Sequence, residues 1–140
     1  MKNIFIILFC IFSLSVFGQN KADVIQADER LNEVYAEAYL ERLKTANPFL
    51  IQRWNFYLDN AFFVAENPAD KEATYPTIEV KDLENINILL IEKEQKIHHD
   101  FKARTYYQIA GTNKMLVYHS GEEFRDALNK HLGRVYPTKK

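Results

Sequence analysis

The sequence predicts an α+β domain with two N-terminal helices, an antiparallel sheet of three to five strands, and a C-terminal helix packed on one sheet face. Three observations carry that expectation. Apolar residues recur at helical spacing as far as about residue 62, and the period then falls to two from about residue 77. Near the end, Ser120-Gly121-Glu122-Glu123 has the spacing of a helix-opening capping box. Helices kept apart from strands along the chain mark this class rather than an alternating α/β one.

Residues 22–46 read as one amphipathic helix. Val24, Ala27, Leu31, Val34, Tyr35 and Ala38 share a face, while Glu29, Glu33, Glu37 and Glu41 face water. Asp23 suits the positive end of its dipole and Lys44 the negative end. Asn47-Pro48 then pairs a favoured cap with a favoured first helical residue, so a second helix is expected from residue 48 to about Phe62. On it Leu50, Trp54, Tyr57, Leu58 and Ala61 form one broad arc, and Phe49, Phe56 and Phe63 recur every seventh residue as a separate stripe. A helix with two apolar faces lies between two layers or offers one face to a partner. The phenylalanine stripe is therefore a candidate interaction surface.

Glu66-Asn67-Pro68-Ala69-Asp70-Lys71 has loop chemistry. Ile78 and Val80 then alternate with Thr77 and Glu79, and Ile86–Ile91 reads as a central strand buried on both faces. Phe101, Ala103, Thr105, Tyr107 and Ile109 alternate with polar neighbours as a half-buried strand does. Gly111-Thr112-Asn113 turns the chain into Met115–Tyr118. A three-residue loop would set Tyr107 opposite Val117, and a two-residue loop would set it opposite Tyr118. The closing helix carries Phe124, Leu128, His131 and Leu132 on one side and ends at Gly133. One domain is expected over residues 19–134, with residues 135–140 as a flexible tail.

The first eighteen residues carry an address. Lys2 precedes the apolar run Ile4–Phe12, small residues follow as far as Gly18, and polarity starts at Gln19. This is the pattern of a cleaved secretory signal, too short to span a bilayer, with the cut expected after Gly18. A periplasmic or secreted protein without a stable membrane anchor follows. Cys10 lies inside the signal, so the mature chain has no cysteine, and thiol nucleophiles and thiolate metal sites are excluded. Lys2 leaves too, so 17 of the 18 basic residues remain against 19 acidic ones, a net of −2. That balance, with no run of like charge, argues against a nucleic-acid partner.

Catalytic chemistry finds little footing. Ser120 is the only serine after the signal. It follows His119, lacks the glycine two places earlier that a nucleophile elbow needs, and is accounted for as a helix cap. His98, Asp100 and His119 are the candidate metal ligands, but strand geometry separates His119 from the other two by roughly 20 Å. No metal site and no cofactor is assigned. Glu92 and Glu94 share a face if the Ile86–Ile91 strand continues, and their alternation with Lys93 and Lys96 reads as a solvated strand end. The lead expectation is a non-catalytic interaction or envelope-accessory module with a protein partner in the cell envelope. The alternative is a small-ligand or enzymatic domain with a pocket between sheet and helices, lined by Trp54, Tyr57, Tyr107 and Tyr118.

Across Asn47-Pro48 through Phe63, the Ile86–Ile91 run, and Thr112-Asn113-Lys114 through Phe124, the chain resembles small exported Bacteroidota proteins of unknown function. The signal ending Phe17-Gly18-Gln19 resembles theirs as well. The resemblance implies export across the inner membrane and carries over no functional residue. Protein recovered from the envelope of its own host should have the intact mass of Gln19–Lys140. A chain still bearing residues 1–18 would overturn the cleavage.

Overall fold

A computed structural model describes residues 25–67 and 74–134. The expected signal at 1–18, Asp23, Val24, most of the Glu66–Lys71 loop and the 135–140 tail lie outside the described residues. The architecture is α+β, with four α-helices and a four-stranded sheet among the described residues. The helices are α1 (Glu37–Ala46), α2 (Pro48–Asn60), α3 (Ile88–Glu94) and α4 (Gly121–His131). The strands are β1 (Phe62–Glu66), β2 (Thr77–Ile78), β3 (Thr105–Ile109) and β4 (Lys114–Tyr118), in spatial order β1-β4-β3-β2.

The long first helix is broken. A 3₁₀ turn at Glu29–Glu33 is followed by extended backbone at Ala36 before α1 begins. Leu31 and Leu40 are both buried in the core. Nine residues apart on a continuous helix, they would point roughly 180° from each other, and only one would reach the core. The break resets the phase so that Leu31 and then Leu40 and Leu43 all face inward.

The second helix ends at Asn60, earlier than expected, and Phe62 opens β1. Asn47 caps it as its sequence implies, its side chain accepting from the Leu50 N–H at 3.3 Å. The run Ile86–Ile91 is not a strand. Asn87 Oδ1 accepts from the Leu90 N–H at 3.2 Å, and α3 starts at Ile88. An unbroken apolar run fits a buried helix as well as a buried strand, and the cap decides between them.

The sheet is mixed rather than wholly antiparallel. β1 and β3 flank β4 antiparallel, while β2 runs parallel to β3 because the chain between them crosses over through α3. The hairpin register differs from both expectations: Tyr107 pairs with Leu116, across a loop of Ala110–Asn113. Gly111 sits at φ 70° there, and the Gln108 side-chain amide donates to the Ile109, Thr112 and Lys114 carbonyls. That clasp holds a four-residue connection that no shorter turn type would match.

Ile78, Tyr107, Ile109, Leu116 and Tyr118 form the inner sheet face, packed with Leu31, Leu40, Leu43, Ile51 and Leu58 from the N-terminal half. The C-terminal helix meets the rest chiefly through α2: Phe124 reaches Phe56 and Tyr57 with ring centroids 5.7 and 5.1 Å apart.

One polar joint ties the N-terminal segment down. Arg30 Nε and NH2 donate to the two Asp28 oxygens at 2.9 and 2.8 Å, and NH2 also donates to Asp59 at 2.6 Å. NH1 reaches the Ile86 carbonyl at 3.4 Å, and the Arg30 carbonyl accepts from Asn87 Nδ2 at 2.8 Å. Replacing Arg30 by Met should lower the unfolding free energy by about 2–3 kcal/mol in urea titration. The loss stays below that of a fully buried pair because Asp59 is mostly exposed and rehydrates. A loss under about 0.5 kcal/mol, the range of an ordinary surface substitution, would show that the joint carries no stability.

Candidate functional site

The three phenylalanines do not form one stripe. Phe49 is exposed on α2 with the Arg134 guanidinium 4.9 Å above its ring. Phe56 is half-buried against Phe124 and His131. Phe63 belongs to β1, because α2 ends three residues before it, and there it meets His119 and Arg104. The second apolar face of α2 is therefore, at Phe56, the seat of α4.

The four pocket candidates also separate. Trp54 stacks on Tyr35 at 4.4 Å and borders a cleft of about 310 Å³ with Leu50, Arg53, Tyr57, Leu89 and Glu92. Tyr57 also borders a second cleft, of about 130 Å³, with Ala61, His99, Tyr118, His119, Gly121 and Phe124. Tyr107 lines neither. Its hydroxyl accepts from the His98 N–H at 2.7 Å and lies 3.3 Å from the His98 carbonyl, pinning the segment before β3.

Around the second cleft the polar groups converge. The Tyr57 hydroxyl donates to Glu92 Oε1 at 2.6 Å, and His99 Nε2 lies 3.3 Å from the same oxygen. Burial raises the Tyr57 hydroxyl far above the ordinary tyrosine range, and its bond to Glu92 adds to the shift. The His99 ring stands edge-on to Tyr118 at 4.8 Å. Tyr118 is 1% exposed, and burial first, then the charge of the nearby Glu92 carboxylate, which also bonds the hydroxyl, pushes it strongly upward.

Glu92, His99 and Phe124 were missing from the expected pocket. With Ile86–Ile91 read as a strand, Glu92 falls on a solvated end. Started from the Asn87 cap, the same residues put Ile88, Ile91 and Glu92 on one helical face, so the cap was the available signal.

The other candidates have structural duties. Asp100 Oδ1 accepts from the Lys102 and Ala103 N–H groups at 2.7 and 2.8 Å, which holds its carboxyl below the usual range. Glu94 pairs with Lys81 at 3.1 Å. Among the described residues no three His, Cys, Asp or Glu side chains group as metal ligands would.

Ser120 Oγ accepts from the Glu123 N–H at 3.2 Å, and Glu123 Oε2 accepts from the Ser120 N–H at 3.0 Å, completing the capping box. The Arg104 guanidinium forks onto the same carboxylate at 2.6–3.0 Å, and His119 Nδ1 lies 3.4 Å away.

A second feature lies at the sheet margin. The Ala61 carbonyl accepts from the His119 N–H at 2.9 Å, and the Asn113 carbonyl accepts from the Asn67 N–H at 2.7 Å. These bonds flank β1, and in the antiparallel register they make its odd-numbered positions, Phe63 and Ala65, the ones that bond to β4. The N–H and C=O groups of Phe62, Val64 and Glu66 therefore point outward, where no described strand pairs with them. Beside that edge runs an open groove of about 730 Å³, walled by Phe62, Val64 and Leu83 and rimmed by Asp28, Glu29, Asp59 and Glu84 around Arg30.

No protein-family model, curated protein or solved structure matches this chain. No described helix is long and apolar enough to cross a membrane.

Arg104 chiefly, and then the Ser120 N–H, push the Glu123 carboxyl from its ordinary 4.5 down to about 2. With the folded value below the unfolded one, its stabilisation is complete above about pH 4.5 and is lost as the pH falls toward 2. Glu123→Gln should flatten this acid limb of the stability-versus-pH curve. An unchanged limb would assign acid lability to other carboxylates.

Proposed function

We propose that this chain is an exported, non-catalytic interaction module that takes up an extended segment of an envelope protein by strand addition along β1. The observation that carries the reading is the outward row of backbone groups at Phe62, Val64 and Glu66, beside a groove wide enough for side chains. Val64 is 37% exposed and Leu83 38%, so the groove retains apolar walls that a natural edge strand usually blunts. Four carboxylates line it against one arginine, and that arginine is engaged by Asp28 and Asp59. A segment alternating apolar with Lys or Arg side chains matches both features. The commitment of Ser120 to the α4 cap supports a non-catalytic role, and the apolar N-terminal run supports export.

An unbiased peptide display on the purified mature domain should enrich extended, basic, alternating sequences. Val64→Pro removes an outward N–H that bonds nothing in β4, so the ladder and the thermal midpoint should hold. Peptide affinity should fall at least tenfold, about 1.4 kcal/mol. Equal binding to both forms would overturn the reading. A wild-type dimer abolished by the proline would replace the partner strand with a second copy of β1.

A further inference from the structure

We infer that the recess between α2 and α3 binds a free α-amino acid with an apolar side chain, its carboxylate on Arg53 and its ammonium on Glu92. The inference is independent of strand addition at β1, because this recess and the edge groove share no lining residue.

Two opposite charges face one space there without meeting. Arg53 and Glu92 both line the recess of about 310 Å³, and among the described residues Arg53 has neither an ion-pair nor a hydrogen-bond partner. Exposed cations elsewhere on these helices do pair with a neighbouring acid, Lys44 with Glu41 and Arg125 with Glu122. The Arg53 charge nonetheless reaches the Tyr57 hydroxyl. Burial chiefly, then the bond to Glu92, raises that hydroxyl, and Arg53 opposes the rise. The same hydroxyl lies 2.6 Å from Glu92 Oε1, so guanidinium and carboxylate look onto shared space.

These charges define the visitor. A simple anion is drawn to Arg53 and repelled by Glu92, and a simple cation meets the reverse. A ligand with both charges on one carbon satisfies both, and the α-amino acid zwitterion is that ligand. Glu92 is held in place by Tyr57 at 2.6 Å and His99 at 3.3 Å, both on Oε1, and its side chain is 22% exposed. Even with the Tyr118 hydroxyl as a third donor, the roughly four lone-pair positions of a carboxylate leave one for an ammonium. Leu50, Trp54 and Leu89 supply the apolar walls that an apolar side chain requires.

Helical spacing presents the walls. Leu50, Arg53, Trp54 and Tyr57 follow the three-and-four repeat of one face of α2, and Leu89 and Glu92 are three apart on α3. Trp54 is stacked on Tyr35 with ring centroids 4.4 Å apart, which fixes the indole before any ligand arrives. Tyr57 is held edge-on by Phe124 at 5.1 Å. Of the lining polar groups Arg53 alone has to be ordered on binding, which limits the entropic cost.

Trp54 is the chain's one tryptophan, so its emission reports on the recess directly. Phenylalanine and leucine titrated onto the mature domain should quench or shift that emission, with a Kd of about 1 mM or below. Phenylalaninamide lacks the carboxylate and N-acetylphenylalanine lacks the ammonium. Each should bind about tenfold more weakly than phenylalanine, the scale of one charge-assisted hydrogen bond. Arg53→Gln should weaken phenylalanine to the same degree and leave phenylalaninamide unaffected. Its ligand-free thermal midpoint should not move, because the side chain has no partner to lose. Glu92→Gln should weaken phenylalanine but not N-acetylphenylalanine, and Val64→Pro should leave binding intact. Failure of both amino acids to bind would overturn the inference. So would undiminished binding of either blocked compound, full affinity in Arg53→Gln, or a fall in that variant's ligand-free stability.

Discussion

Arg30 is the joint on which the placement of the other elements depends. Its planar fork of Nε and NH2 matches the Asp28 carboxylate, the same NH2 also reaches Asp59 at the end of α2, and its carbonyl holds the Asn87 amide. Asn87 in turn caps α3, so one residue aligns the N-terminal segment with two helices. The desolvation cost of a largely buried guanidinium is offset because each group around it is bonded. Asp28 is held below the usual carboxylate range chiefly by its hydrogen bond from this arginine. A lysine, with one point charge, could not face Asp28, Asp59 and the Ile86 carbonyl together.

From that joint the cleft follows by geometry. The Asn87 cap sets the phase of α3, and the phase turns Glu92 toward Tyr57. The chain then runs outward to His99, whose ring returns to the same carboxylate. β4 approaches from the other side, and its end divides the work among three consecutive residues. Tyr118 and His119 line the cleft, while Ser120 caps α4. A shift of one residue in the hairpin register would turn Tyr118 to the opposite sheet face and remove it from the cleft. The Gln108 clasp on the Ala110–Asn113 loop, remote from the cleft, therefore bears on the cleft's composition.

The same sheet leaves its other consequence at β1. A strand placed at the margin by the order β1-β4-β3-β2 bonds through alternate residues only, and the other half of its backbone faces outward. Because β1 follows directly on α2, that margin lies beside Leu58, Asp59 and the Arg30 cluster, which supply the wall and the charge of the groove. The edge and the cleft are thus two products of one arrangement, both beside the C-terminal end of α2.

Local signals in the sequence determined the α+β class, the Asn47 cap of α2 and the capping box that opens α4. Each rests on residues close together in the chain, where spacing alone carries the physics. The break before α1 was legible in principle, since Leu31 and Leu40 cannot share a face of one helix. The state of Ile86–Ile91 was ambiguous because an all-apolar run has no period, and only Asn87 spoke for a helix. The hairpin register, the parallel pairing of β2 and the meeting of Glu92, His99 and Tyr118 were decided by tertiary structure. Those contacts join residues far apart in the chain, and their partners are set by how helices and sheet fill one shared core rather than by any local preference.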